Sequence, residues 1–72
     1  MRMIEVQVLD SSTLHMVLAG TKAECLGDVS DQQARQLAKQ HGFDPHGSRY
    51  ISPVKRIRGN EYKLTYEFYK RK

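Results

Sequence analysis

Val29-Ser30-Asp31-Gln32-Gln33-Ala34-Arg35-Gln36-Leu37-Ala38-Lys39-Gln40-His41-Gly42 is the stretch on which the reading of the fold turns. Ala34, Leu37, Ala38 and His41 recur at helical spacing and make one narrow stripe of mostly small residues. Ser30 with Gln33 three positions on forms a capping box, which predicts Ser30 as the N-cap and Val29 as a staple onto Ala34. Asp31 falls in the first turn, where the helix dipole favours a negative charge. Gly42 suits the left-handed residue that ends a helix. The spacing therefore predicts a helix over Asp31–His41, narrow enough on its apolar side to sit close to a sheet.

On both sides of this helix the period changes from helical to two. Met3–Leu9 sets Ile4, Val6 and Val8 against Glu5 and Gln7, and Leu14–Ala19 sets Leu14, Met16 and Leu18 against His15 and Val17. Asp10-Ser11-Ser12 reads as the turn between them. A register with Val8 opposite Leu14, Val6 opposite Met16 and Ile4 opposite Leu18 keeps both apolar sets on one face, whereas a one-residue slip separates them. Lys22–Leu26 carries a weak strand pattern. Beyond the loop at Phe43–Ser48, Tyr50–Ile57 and Tyr62–Lys70 predict a second hairpin around Gly59-Asn60, a type II′ turn pattern. That turn pairs Ile57 with Tyr62, Lys55 with Leu64, Pro53 with Tyr66 and Ile51 with Phe68, with Lys55 intruding on the core face. Pro53 cannot donate to a ladder, so its strand is an edge or is interrupted there. The fold class is α+β: a small antiparallel sheet of two hairpins, four or five strands, with one helix packed on it in the order ββ(β)αββ.

Seventy-two residues, 39% of them hydrophobic and 28% charged, suit a single domain over 1–72 with a thin core. No run approaches the about 20 apolar residues of a membrane helix. The alternating N-terminus lacks the apolar centre of a signal peptide, and a lone Cys25 is unlike a small secreted domain, so the expected location is cytoplasmic. The net charge of +4 is unevenly spread: residues 1–48 carry −2, while residues 49–72 carry +6 and all four tyrosines. This asymmetry predicts a polyanionic partner at one end.

In the predicted register Arg56 faces Lys63 on the outer side of the second hairpin, beside Arg58, Val54, Thr65, Glu67 and Tyr69. Like charges directly opposite are destabilising, and a phosphate lying across them would offset that. The candidate nucleic-acid-binding residues are therefore Arg56, Arg58, Lys63 and Tyr69 with the tail Lys70, Arg71 and Lys72; Tyr69 and Tyr50 would stack on bases. The opposing reading of these charges is a solvated face that guards a small sheet against aggregation. Tyr62 and Tyr66 read as core residues with wet hydroxyls.

Nothing completes a catalytic or metal-binding set. His41 and His46 have only Asp44 nearby, Cys25 has no activating base, and no phosphate loop or dinucleotide fingerprint is present. His46 is the one residue that would serve as a general base on RNA, with Arg56 or Arg58 holding a phosphate. Arg56-Ile57-Arg58-Gly59-Asn60-Glu61-Tyr62-Lys63-Leu64-Thr65-Tyr66-Glu67-Phe68 resembles the central hairpin of RelE-type ribonuclease toxins. That family opens with helices where this chain opens with a hairpin, so no residue role is carried over. The expected function is a non-enzymatic binding domain without a cofactor, contacting nucleic-acid phosphates. Its rival is a small inhibitor or adaptor of the kind encoded by phages and mobile elements, which blocks a host protein. Self-association into a homodimer is compatible with either.

Overall fold

The computed structural model describes residues 1–70. Five strands form one antiparallel sheet: β1 (Arg2–Asp10), β2 (Thr13–Gly20), β3 (Arg49–Ile51), β4 (Lys55–Arg58) and β5 (Glu61–Tyr69). Their order is β1-β2-β5-β3, with β4 also pairing β5. Helix α1 (Lys22–Leu26) and the main helix α2 (Asp28–Gln40) lie between β2 and β3 in sequence and pack on β2 and β5. The α+β class is as the sequence indicates.

The core forms where helix meets sheet. Leu14, Met16 and Leu18 of β2, Leu64, Tyr66 and Phe68 of β5, and Ala34 and Ala38 of α2 are all buried. The small residues of α2 permit the close approach expected of its stripe. Phe43, in the loop after α2, also enters the core. It is carried there by the helix end: Gly42 adopts φ 80, the Phe43 amide donates to Ala38 O at 2.8 Å and the Gly42 amide to Lys39 O at 3.1 Å. These two bonds are the Schellman pattern, and only glycine accepts that φ without strain.

The first hairpin has the expected register at Val8–Leu14 and Val6–Met16, but Met3, not Ile4, faces Leu18. One extra residue, Ile4, lies between Met3 and Glu5, and another, Leu9, between Val8 and Asp10, so β1 carries two bulges. Met3 accordingly packs against the core while Ile4 stays exposed.

At three further places the structure departs from the sequence reading. Lys22–Leu26 is a helix, not a strand. It is started by a capping box in which Thr21 Oγ1 accepts from the Glu24 amide at 3.2 Å and Glu24 accepts from the Thr21 amide at 2.9 Å. Helix α2 begins at Asp28 with Gly27 as its cap, so Ser30 is not an N-cap and Val29 does not staple onto Ala34. Ser30 is instead 1% exposed inside the first turn, its hydroxyl donating to Cys25 O at 3.2 Å and Gly27 O at 3.3 Å and lying 3.4 Å from Tyr66 Oη. Tyr66 is buried with that hydroxyl, not wet.

The second hairpin turns at Gly59-Asn60 with φ 46 at Gly59 and no positive φ at Asn60, the type II′ signature. Its register, however, is slipped from the sequence-based one. Arg58 faces Glu61, Arg56 faces Tyr62 and Lys55 faces Lys63, with Ile57 bulged out; beyond the break, Ile51 faces Tyr66 and Arg49 faces Phe68. Ser52-Pro53-Val54 is the break, consistent with a proline that cannot donate. Ser52 bridges it, its amide donating to Thr65 O at 2.9 Å and its Oγ accepting from the Thr65 amide at 2.8 Å. The slip turns Lys55 outward and brings Val54 against the core, reversing both expectations.

Candidate nucleic-acid interface

Charged side chains fall into three zones along β5, the first two of them on the outer face of the sheet, opposite the helices. At the start of β5, Lys63 stands directly opposite Lys55, and both are exposed. The like-charge pair expected for Arg56 and Lys63 is thus made by Lys55 and Lys63, because the register slip exchanges the two faces of β4. Arg56, opposite Tyr62, is turned to the helix side by the same slip and is exposed there, its Nε donating to Gly59 O at 3.0 Å. Arg58 bonds Glu61 at 3.1 Å, and Arg2 reaches the same carboxylate. Those bonds, Arg58 first, hold the Glu61 carboxyl below its ordinary range. Neither Lys55 nor Lys63 has a carboxylate partner among the described residues. On the outer face four cations, Arg2, Lys55, Arg58 and Lys63, therefore share this end with one carboxylate, and Arg56 stands at the same end on the opposite face. A recess of about 230 Å³ opens beside the two lysines, lined also by Tyr50, Ser52 and Thr65.

The middle zone is acidic. His15 lies between two carboxylates, Nε2 3.0 Å from Glu5 and Nδ1 2.8 Å from Glu67. Tyr69 donates its hydroxyl to Glu67 at 2.9 Å. The His15 and then the Tyr69 hydrogen bonds lower the Glu67 carboxyl, and the same carboxylate raises the Tyr69 phenol. Each ring nitrogen of His15 is already occupied by one carboxylate, which suits a structural strut across β1, β2 and β5 better than a ligand set. Among the described residues no cluster of His, Cys, Asp or Glu is arranged to hold a metal ion.

The third zone lies where β5 ends. Tyr69 and Lys70 are here, with Asp44, His46 and Ser48 around a cavity of about 510 Å³. Lys70 places its ammonium 4.5 Å from the centre of the Phe43 ring, a cation–π contact. His46 Nδ1 lies 3.0 Å from an Arg35 guanidinium nitrogen.

The candidate residues read from the sequence therefore do not form one site. Arg58 and Lys63 share the first zone and Arg56 lies at the same end on the opposite face, whereas Tyr69 and Lys70 stand at the far end of β5, about 20 Å away at the rise of an extended strand. Tyr69 is tied to Glu67 through its hydroxyl, while Tyr50 is 50% exposed. Arg71 and Lys72 lie outside the described residues. His46 is likewise remote from Arg56 and Arg58, so the pairing of a base at His46 with a phosphate held by those arginines is not formed. Arg2 and Lys55 are the members that the sequence reading missed. Arg2 sits in the acidic part of the chain and joins the zone only through the β1-β2-β5 order; no local pattern announces it. Cys25 is buried, and burial followed by the nearby Glu24 charge pushes its thiol up, away from nucleophilic reactivity.

Compared with known protein families, curated proteins and solved structures, the chain matches none. No helix among the described residues is long and apolar enough to cross a membrane.

Proposed function

We propose that this chain is a non-enzymatic binding domain that grips the phosphate backbone of a nucleic acid with Arg2, Lys55, Arg58 and Lys63. The observation that carries the reading is the exposed Lys55–Lys63 pair, directly opposite on the ladder and without a carboxylate partner. Two ammonium groups held side by side raise the energy of the free domain, and a bridging phosphate removes that cost. The adjacent recess adds the Ser52 and Thr65 hydroxyls and the exposed Tyr50 ring, which suit a single strand with a base turned onto the tyrosine. Phosphate contacts carry no sequence information, so the affinity they supply depends on charge and not on sequence.

Mobility shifts with random single-stranded and duplex oligonucleotides over a salt series test this. The expected result is retardation at low salt that weakens steeply as salt rises. Lys55→Gln with Lys63→Gln should flatten the log–log salt slope by about 1.8 on duplex or about 1.4 on single strands, two contacts in each case. Absence of retardation at the lowest salt would overturn the proposal and leave the inhibitor or adaptor reading in its place.

A further inference from the structure

Strand β1 is nine residues long, forms one border of the sheet, and pairs only with β2. Its unpaired backbone groups are a template for another strand. Val6 and Val8 project on the helix side, opposite Met16 and Leu14, yet they are 38% and 52% exposed because α1 and α2 pack on β2 and β5. Ile4 and Leu9 are exposed as well. From Met3 to Leu9 neither lysine nor proline guards this border, and the only charge, Glu5, is bonded to His15. Met1 itself is paired with Glu24 at 2.9 Å.

We propose that two copies of this chain associate through β1, antiparallel about a twofold axis at Val6, so that the two sheets become one. The sequence of β1 is complementary to itself in this register. Arg2 meets Asp10 of the second copy, Glu5 meets Gln7, Ile4 meets Val8, and Val6 meets Val6. Arg2, Glu5, Gln7 and Asp10 all lie on the outer face, in line with Ala19, Val17, His15 and Thr13, so each polar pair falls on one side. Moving the axis to Gln7 would set Ile4 against Asp10 and lose the ion pairs. Odd registers would set inner side chains against outer ones. The opposite border cannot act in the same way: β3 and β4 are three and four residues long and are separated at Pro53. One usable border per copy makes the contact isologous, and assembly stops at two. The bulges at Ile4 and Leu9 add twist towards both ends of the border, which limits further growth.

Sedimentation velocity of the full chain across a dilution series should show a monomer–dimer equilibrium. Val6→Lys places two ammonium groups together on the axis and should weaken the dimer by more than about tenfold. Because Val6 is exposed, the variant should retain its circular dichroism spectrum. Val6→Cys conserves size and provides a second measurement. Facing Cα atoms on adjacent antiparallel strands are about 4.5 to 5.5 Å apart, within disulfide range, so mild oxidation should cross-link it. The wild type, with Cys25 buried, should not cross-link under the same conditions. A monomeric wild type at about 100 μM overturns the proposal and leaves the border to a strand of a different protein. A dimer that survives Val6→Lys, or a Val6→Cys dimer that does not cross-link, also overturns it by locating the contact elsewhere.

Discussion

Replacing Ser30 with alanine separates two accounts of how α2 is held. Were Ser30 a cap, its loss would cost about 1 kcal/mol, independently of anything on β5. In the structure its hydroxyl lies in the core between the Cys25 and Gly27 carbonyls and Tyr66 Oη. Tyr66 is 3% exposed, and its hydroxyl has no other partner among the described residues. Ser30→Ala therefore removes one hydroxyl donation, shared between two carbonyls and worth about 0.5 to 1.5 kcal/mol, and strands a buried phenol at about 1 to 3 kcal/mol. The Tyr66 contact, at 3.4 Å, is long for an O–H···O bond and belongs at the low end of these ranges. A total near 2 kcal/mol should lower the melting midpoint by roughly 8 to 16 °C in a domain of this size. Tyr66→Phe alone should cost less, about 0.5 to 1 kcal/mol, because Ser30 keeps its two carbonyl acceptors. The double variant should be more stable than the sum of the single effects by about 0.5 kcal/mol or more, since neither hydroxyl is then stranded. Thermal and urea unfolding followed by circular dichroism supply the cycle. Additivity within about 0.3 kcal/mol would refute the core account and return Ser30 to a local role at the helix end.

Thr21→Ala removes one half of the α1 capping box and should cost about 1 kcal/mol, read as a lower urea midpoint with an unchanged slope; an unchanged midpoint would show that α1 is held by packing alone. In acid, Glu24, Glu61 and Glu67 should act together. Each carboxyl is depressed by its partners: Glu24 by the Thr21 amide and then the Met1 ammonium, Glu61 by Arg58 and then Arg2, Glu67 by His15 and then Tyr69. A depressed folded-state value stabilises the fold above the ordinary glutamate pKa and is lost as pH falls through it. The melting midpoint should therefore decline from about pH 5 downward, past the usual value near 4.3. A midpoint that stays level to pH 3 would contradict these contacts.

Several features are legible in the chain itself because they are set by neighbours a few residues apart. The period-2 runs of β1 and β2, the short Asp10-Ser11-Ser12 turn and the matching apolar faces leave one workable register, which the structure keeps at Val6 and Val8. The helical stripe ending in Gly42 and the Gly59-Asn60 turn are equally local. So is the Thr21–Glu24 capping box, a local signal that competes with the weak strand pattern of Lys22–Leu26.

Tertiary structure decided the rest. Ser30 followed by Gln33 satisfies a capping pattern, but Gly27 lets the helix begin earlier, and Tyr66, 36 residues away, takes the hydroxyl into the core. The register of β3 and β4 against β5 depends on how Ser52 and the Ile57 bulge absorb the break at Pro53. The bulge at Ile57 shifts β4 by one residue and exchanges its inward and outward side chains, so it decides that Lys55 faces Lys63; across the break the shift becomes two residues, and Ile51 keeps its face opposite Tyr66. The candidate site is divided for the same reason. Residues 56–70 are close in sequence, yet an extended β5 spreads them from one end of the sheet to the other, while strand order brings Arg2 from the far end of the chain to Glu61. Spacing along the chain determines which side chains can share a face; only the pairing of distant strands determines which of them meet.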